Sequence, residues 1–293
     1  MSAVLDDVAL EGAPEVATLL GARVRPEPEA PIVFAFDLSS SKTSAALFDS
    51  RGNEIAGSRV LLSHGLSELT SDSDSAADAL VDSVAQAIDV ALARAESFVS
   101  QIDYVAAACF WHSLLGIDGE GRAVTPLFGW AETRAAKAVA ELQSRFDETE
   151  THQRTGARFH PSYWPARLLW LKEERFELFS RVKHWLSFSD YLFSRFFYEA
   201  TTSVSMASGT GLLNQKECRW DAELLNGLGL SPNRLPQIAN PGRTLQTLRK
   251  EYALRWPLLD RAAWFPAIGD GAANNIGAGC VTTDRVALLI GTS

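Results

Sequence analysis

Ile32-Val33-Phe34-Ala35-Phe36-Asp37-Leu38-Ser39-Ser40-Ser41-Lys42-Thr43-Ser44-Ala45-Ala46-Leu47-Phe48-Asp49 is the stretch on which the fold turns. An apolar, β-prone run ends on one carboxylate, Asp37. A serine-rich turn follows, and a second apolar run reaches Asp49, where Ser50-Arg51-Gly52-Asn53 forms another turn. Glu54 to Leu62 supplies a third strand, so this unit is an antiparallel meander. From Ser75 to Ser97, Ala77, Leu80, Val81, Val84, Ile88, Ala91 and Leu92 recur at helical spacing and predict one long amphipathic helix. Tyr104-Val105-Ala106-Ala107-Ala108-Cys109-Phe110 is then a buried strand. Three antiparallel strands, a helix and a further strand is the order of an α/β domain of the ribonuclease-H type.

Composition narrows the function. The 293 residues are 46% apolar and 22% charged, those of a globular protein with a real core. A net charge of −9 argues against nucleic acid, which wants a basic face. Cys109, Cys218 and Cys280 are odd in number and never spaced as C-x-x-C, so neither a disulfide framework nor a zinc site is expected. A reducing compartment follows, and with no apolar run of membrane length and no signal peptide the expected location is cytoplasmic.

Residues 1–30 read as a flexible leader with a short helix near Val16 to Leu20. Beyond the strand at Tyr104, a hairpin is expected at Leu114–Ile117 and Pro126–Trp130, then helices at Glu132–Arg145 and Pro165–Glu174. Residues 147–163 read as irregular, and residues 241–255 as a polar, strand-like connector. Near the end, Ala267-Ile268-Gly269-Asp270-Gly271-Ala272-Ala273-Asn274-Asn275-Ile276-Gly277-Ala278-Gly279 sets one carboxylate among small residues before a Gly/Ala-rich helix. Taken alone, Asp270 reads as a helix N-cap, though glycine on both sides admits close approach by a ligand. A last strand is expected at Val286–Ile290, ending in Gly291-Thr292-Ser293.

Six spaced motifs resemble the FGGY family of carbohydrate kinases, most closely its gluconokinase- and xylulokinase-like branch. They are Asp37 to Ser44, Phe110-Trp111-His112-Ser113, Trp130-Ala131-Glu132-Thr133-Arg134, Thr155-Gly156-Ala157-Arg158-Phe159-His160-Pro161, Ser203 to Gly211, and Asp270 to Gly277 with Gly291-Thr292-Ser293 beyond it. The resemblance implies an actin/hexokinase-type ATPase domain with a mixed five-stranded sheet flanked by helices, plus sugar-site insertions. It implies a sugar-binding domain over residues 31–268. Residues 269–293 would begin a nucleotide-binding domain whose remainder is absent.

The same resemblance assigns roles. Asp270 would be the catalytic base, and Asp37 and Asp270 would hold Mg²⁺. Ser39, Ser40, Ser41, Gly291, Thr292 and Ser293, with Asp37, would face the phosphates of ATP, since a turn with exposed amides makes an anion nest. His112, Trp130, Glu132, Arg134, His160 and Tyr163 would contact the substrate, a small sugar or sugar acid. Arg167, at the family's Lys position, would suit an acidic sugar such as gluconate. Ser203, where the family usually has Asp, would make a structural loop under the cleft floor.

Ser39 in place of the family's Gly, and Ser44 in place of its basic residue, depart from the pattern. The activity implied is ATP-dependent phosphorylation of a sugar hydroxyl, poor or absent in this chain alone. A homodimer or a partner chain would supply the missing nucleotide domain. Two other classes stay open. One is a non-catalytic sugar-binding half of a split or truncated kinase. The other is a hexokinase-like or regulatory member of the same superfamily, against which the Trp130–Arg134 and His160-Pro161 motifs weigh. Each motif also has an ordinary reading: a serine-rich turn, a core histidine at His112, and a surface charge pair at Glu132 and Arg134.

Overall fold

The computed structural model describes residues 30–39, 41–63, 76–95, 99 and 101–288. The predicted leader, Ser40, and Gly291, Thr292 and Ser293 lie outside the described residues, apart from Ala30. The meander is present as β1 (Val33–Leu38), β2 (Lys42–Phe48) and β3 (Val60–Ser63), paired antiparallel with Asp37 opposite Ser44. The third strand is shorter than expected: Gly57 takes positive φ, and residues 56–59 are turn and coil rather than ladder. Helix α1 (Ala76–Ala95) follows, then β4 (Tyr104–Cys109), parallel to β1 with Asp37 level with Ala108.

One face of the sheet is built by strict alternation. Phe34, Phe36 and Leu38 on β1, with Val105, Ala107 and Cys109 on β4, are buried while their neighbours are less so. Against this face α1 lays Leu80, Val81, Val84, Ile88 and Leu92, all buried. Each such aliphatic side chain removed from water contributes about 1.5–3 kcal/mol, which fixes α1 on the sheet.

Beyond β4 the chain makes a long excursion and returns as β11 (Ala263–Trp264) and β12 (Ile268–Gly269), both parallel to β4. Trp264 is level with Val105, whereas Ile268 is level with Ala108, so one extra residue is accommodated between them. Pro266, which has no N–H for the ladder, sits in this bulge. This sheet contains six of the described strands, but β11 and β12 occupy one position, giving the expected five places across a mixed sheet.

The excursion carries β5 (Leu115–Ile117), α2 (Ala136–Arg145), α3 (Glu148–Thr155), α4 (Trp164–Glu174), α5 (Phe176–Arg181), β6 (His184–Leu186) and α6 (Phe188–Phe196). Then follow β7 (Thr201–Thr202), α7 (Val204–Ser208), β8 (Leu213–Asn214), β9 (Arg219–Trp220), α8 (Ala222–Leu228), β10 (Gln237–Ile238) and α9 (Lys250–Arg255), and after β12 the helix α10 (Asp270–Gly277). Helix α6 starts on a capping box formed by Ser187 and Asp190 and packs into the sheet's core with Phe188, Tyr191 and Phe193. A second core lies among α2, α4 and α8, around Leu142, Trp164, Leu168, Leu169 and Leu224.

Four local expectations are corrected. Within 147–163, α3 forms because Asp147 accepts from the Glu150 N–H at its start and Gly156, at φ 71°, ends it. The expected hairpin survives only as bridges Leu114–Phe128 and Ile117–Ala123, because β5 pairs with the distant β6. Lys250–Arg255 is helical rather than strand-like. Val286 to Leu288 form no strand, and Leu289 and Ile290 lie outside the described residues.

Candidate functional site

Parallel pairing brings three of the sequence motifs to one edge of the sheet. Asp37, Ala108 and Ile268 are level across β1, β4 and β12, and Leu38, Cys109 and Gly269 form the next row. The residues just past these carboxyl ends are the Ser39 turn, Trp111-His112 and Asp270, in the place where open α/β sheets take ligands.

Asp270 is the first residue of α10, with Gly269 as N-cap, so the capping role considered for it from sequence falls to a glycine that makes no side-chain cap. Its Oδ1 accepts from the Gly271 N–H at 2.8 Å, and the residue is half-buried in the helix's first turn, where a carboxylate suits the dipole. Asn275 turns back to donate to the Gly271 carbonyl at 2.8 Å. Partial burial pushes the Asp37 carboxyl above its ordinary value, the Asp270 carboxylate pushes the same way, and Lys42 opposes them. A carboxyl raised by a neighbouring carboxylate is one that a cation would relieve.

The described residues hold no cluster of three or more His, Cys, Asp or Glu side chains fit for a metal. Asp37 and Asp270 fit magnesium, which is commonly held by one or two carboxylates with phosphate oxygens and water completing the shell.

The Ser39 turn is less open than a phosphate nest. The Ser39 hydroxyl donates to the Lys42 carbonyl at 3.1 Å and accepts from the Lys42 N–H at 3.2 Å and the Ser41 N–H at 3.5 Å. A phosphate oxygen using those amides would have to displace it. Ser44, the other departure, accepts from Arg59 Nη1 at 3.2 Å.

Trp111 is the packing centre of this edge, a part that sequence reasoning missed. Its indole lies against Gly209, Gly269 and Gly271, leaving no room for a Cβ at any of them. Its Nε1 donates to the Ser205 carbonyl at 3.1 Å, and the Ser205 hydroxyl accepts from the Gly269 N–H at 3.0 Å. Ser203 caps α7 and donates to the Ala267 carbonyl at 2.6 Å, so the loop expected to be structural does tie α7 to β12. The clue in the sequence was a tryptophan followed, far along the chain, by glycines on both sides of Asp270.

His112 has φ 66°, uncommon for a residue with a side chain, and its Nδ1 lies 2.6 Å from the Gly209 carbonyl. A carbonyl only accepts, so Nδ1 carries the proton. Burial pushes the imidazole below its ordinary value, the Gly209 contact opposing. Tyr163 meets it edge-on at 5.0 Å, and His160 meets that tyrosine edge-on at 6.1 Å.

The remaining residues singled out from sequence are Trp130, Glu132 and Arg134. Trp130 is 43% exposed, and its carbonyl accepts from Ser162 Oγ at 2.7 Å. Glu132 is gripped by Arg134, Nη2 to Oε2 at 2.6 Å, while the guanidinium lies over Phe128 and Trp170 at 5.7 and 5.3 Å. Burial raises the Glu132 carboxyl, but the Arg134 bonds outweigh it and hold it below its ordinary value.

Arg167 departs from its expected role. It is fully buried, and its Nε, Nη1 and Nη2 donate to the carbonyls of Pro161, His112 and Gly129, at 3.1 Å for Pro161 and 2.6 Å for Gly129. Burial pushes its guanidinium down to about 10, with Glu132 opposing. Its charge is turned to the backbone, not to a ligand's carboxylate.

Three strand ends with a carboxylate on each flank, beside a polar aromatic cluster, place a candidate ligand site at the carboxyl edge of an α/β domain. The match to solved structures agrees: gluconate kinase from Lactobacillus acidophilus superposes with a TM-score of 0.76 at 25% identity, over 86% of this chain and 50% of that one. The fold is that of the actin/hexokinase-like ATPases. Residues 32–277 match the N-terminal domain of the FGGY family of carbohydrate kinases, and the chain belongs to that family. The gluconokinase of Bacillus subtilis is 26% identical over 263 residues, 89% of this chain and 50% of its own length. The xylulose kinase of Streptomyces rubiginosus is 27% identical over 266 residues, 90% of this chain and 53% of its own. The chain thus spans about half the length of these curated relatives. Among the described residues, no helix is long and apolar enough to cross a membrane.

Proposed function

We propose that residues 31–268 form the sugar-binding half of an ATP-dependent carbohydrate kinase, with Asp270 as the base toward the accepting hydroxyl. The observation that carries this is the convergence of Asp37, His112 and Asp270 at the carboxyl edge of β1, β4 and β12. In this reading His112, Trp130, Glu132, Arg134, His160 and Tyr163 position a sugar or sugar acid of the gluconate or pentulose kind. Asp270 would take the proton from the hydroxyl oxygen as that oxygen attacks the γ-phosphoryl of ATP and the bond from γ-phosphorus to the β-phosphate oxygen breaks, releasing ADP. A magnesium ion held by Asp37 and Asp270 would supply neutralisation of phosphate charge. Residues 269–293 begin the nucleotide-holding domain, and phosphoryl transfer needs that domain in full, from a longer chain or a partner.

The test is calorimetric titration of the chain with gluconate, xylulose, ribulose and glycerol, repeated with His112→Leu and Asp270→Asn. One of the four should bind wild type, at least tenfold more weakly to His112→Leu. Failure of all four to bind the folded wild-type chain would refute the reading.

One observation favours a second reading, a sugar-binding protein without catalysis: the Ser39 hydroxyl occupies the Ser41 and Lys42 amides. Ser39→Gly separates the two. Under the kinase reading it strengthens ATP binding once the nucleotide domain is supplied, and under the binding reading it changes nothing.

A further inference from the structure

Arg167 is the only Lys or Arg among the buried polar and charged residues described, and it forms no direct ion pair there. A cation placed so deep is costly, so its partners indicate what it does. Each of its three carbonyl partners adjoins a different sugar motif. His112 is itself a proposed contact residue, Gly129 immediately precedes Trp130, and Pro161 immediately follows His160. These three loops enter from separate parts of the chain: the end of β4, the turn before α2, and the turn before α4. Helix α4, which carries Arg167, is seated independently of it by apolar burial and by Trp164 Nε1 donating to the Ser113 carbonyl at 2.9 Å. The guanidinium is therefore not what holds α4 in the core.

We infer that Arg167 is a positioning residue that locks the His112, Trp130 and His160 loops at fixed separations, and that it holds His112 with Nδ1 protonated and Nε2 free to accept from a sugar hydroxyl. Guanidinium is suited to this, because its planar fork sends donors in three directions at once, which an ammonium group on a flexible stem does not match. The link to His112 runs through the backbone. Arg167 Nη1 grips the carbonyl of a residue whose φ is 66°, and that backbone geometry sets the ring against the Gly209 carbonyl. Nε2 has no hydrogen-bond partner among the described residues and is not among the sealed-off polar atoms, so its lone pair is open to a ligand. This use of Nε2 rests on the sugar-site reading; the lock itself does not.

The experiment is nitrogen-15 NMR of the histidine rings at neutral pH in wild type, Arg167→Met and Arg167→Lys, with His112 assigned by the signal lost in His112→Gln. Thermal melts confirm which variants are folded. Wild type should show His112 as the Nδ1–H form, and both Arg167 variants should drift toward the Nε2–H form that free imidazole prefers. Titration with xylulose and gluconate should move the wild-type Nε2 signal, and the ligand that binds should bind the variants at least tenfold more weakly. Arg167→Lys covers the case in which Arg167→Met does not fold. A folded variant with wild-type ring signals and wild-type affinity overturns the inference, as does an Nε2–H ring in wild type. If neither sugar binds wild type while the ring signals respond to Arg167 as expected, the sugar reading fails and the lock stands.

Discussion

Replacing Gly269 with alanine tests whether Trp111 and the start of α10 are packed as one unit. Gly269 has φ −68° and ψ 143°, which alanine adopts without strain, so the backbone term alone favours the variant by about 0.4–1 kcal/mol. The side chain reverses this. A Cβ there would overlap Cε2 and Nε1 of the indole and lie 2.5 Å from Cζ2. Carbon atoms settle at about 3.5–4.0 Å, so the ring must retreat by about 1 Å or more. Such overpacking costs about 1–3 kcal/mol. The retreat also breaks the 3.1 Å bond from Trp111 Nε1 to Ser205, worth about 1 kcal/mol. The net expectation is a loss of about 2–3 kcal/mol, a fall in Tm of roughly 5–10 °C. Urea unfolding of wild type, Gly269→Ala, Trp111→Leu and the double variant forms the cycle. The double variant should recover about 2 kcal/mol relative to the sum of the singles, because leucine leaves room for the added methyl. Stability of Gly269→Ala within 0.5 kcal/mol of wild type, or strict additivity, would refute the packing argument.

Other tests probe groups away from Trp111. Asp221 is buried, caps α8 by accepting from the Leu224 N–H at 2.9 Å, and pairs with Arg154 Nε at 2.9 Å, so Asp221→Ala should cost about 2–4 kcal/mol in urea. Asp221→Asn, which keeps the cap, should cost less. Burial pushes the Asp190 carboxyl up to about 6, with its Ser187 and Thr202 bonds opposing. Since the folded value exceeds the unfolded one, the native state binds the proton more tightly, and this group adds stability as pH falls from about 6 toward 4. The stability of Asp190→Asn relative to wild type should therefore decline over that range by an amount on the order of 2–3 kcal/mol; a flat difference would contradict the assignment. His112 has the opposite sign, its folded value being depressed. Stability from its neutral ring is lost as pH falls below about 6.5, and sugar binding should weaken there in wild type but not in His112→Gln.

What the sequence made legible follows from locality. The strand-turn-strand around Asp37 and the apolar period of α1 are set by neighbours within a few residues, and both formed as expected. Helix α3 was hidden because it is polar almost throughout, so only its ends, Asp147 and Gly156, marked it. The pairing of β5 with β6 was hidden for another reason: it joins Gly116 to Trp185, far apart in the chain, and no local pattern encodes such a partner.

The same distinction runs through the site and explains why Arg167 was misread. Asp37 lies near the carboxyl end of β1, His112 three residues past β4, and Asp270 directly after β12, so once these parallel strands are in register the three meet at one edge. Trp130 and His160 have no strand to aim them. They sit on loops of the inserted core, and their separation from His112 has to be fixed by something that reaches all three loops. In the sequence Arg167 is one basic residue on a helix, where solvent is its usual neighbour. Only the fold shows that solvent is excluded and that backbone carbonyls have taken its place. A charge that would have pointed to an acidic substrate instead points inward, to the spacing of the residues that would meet one.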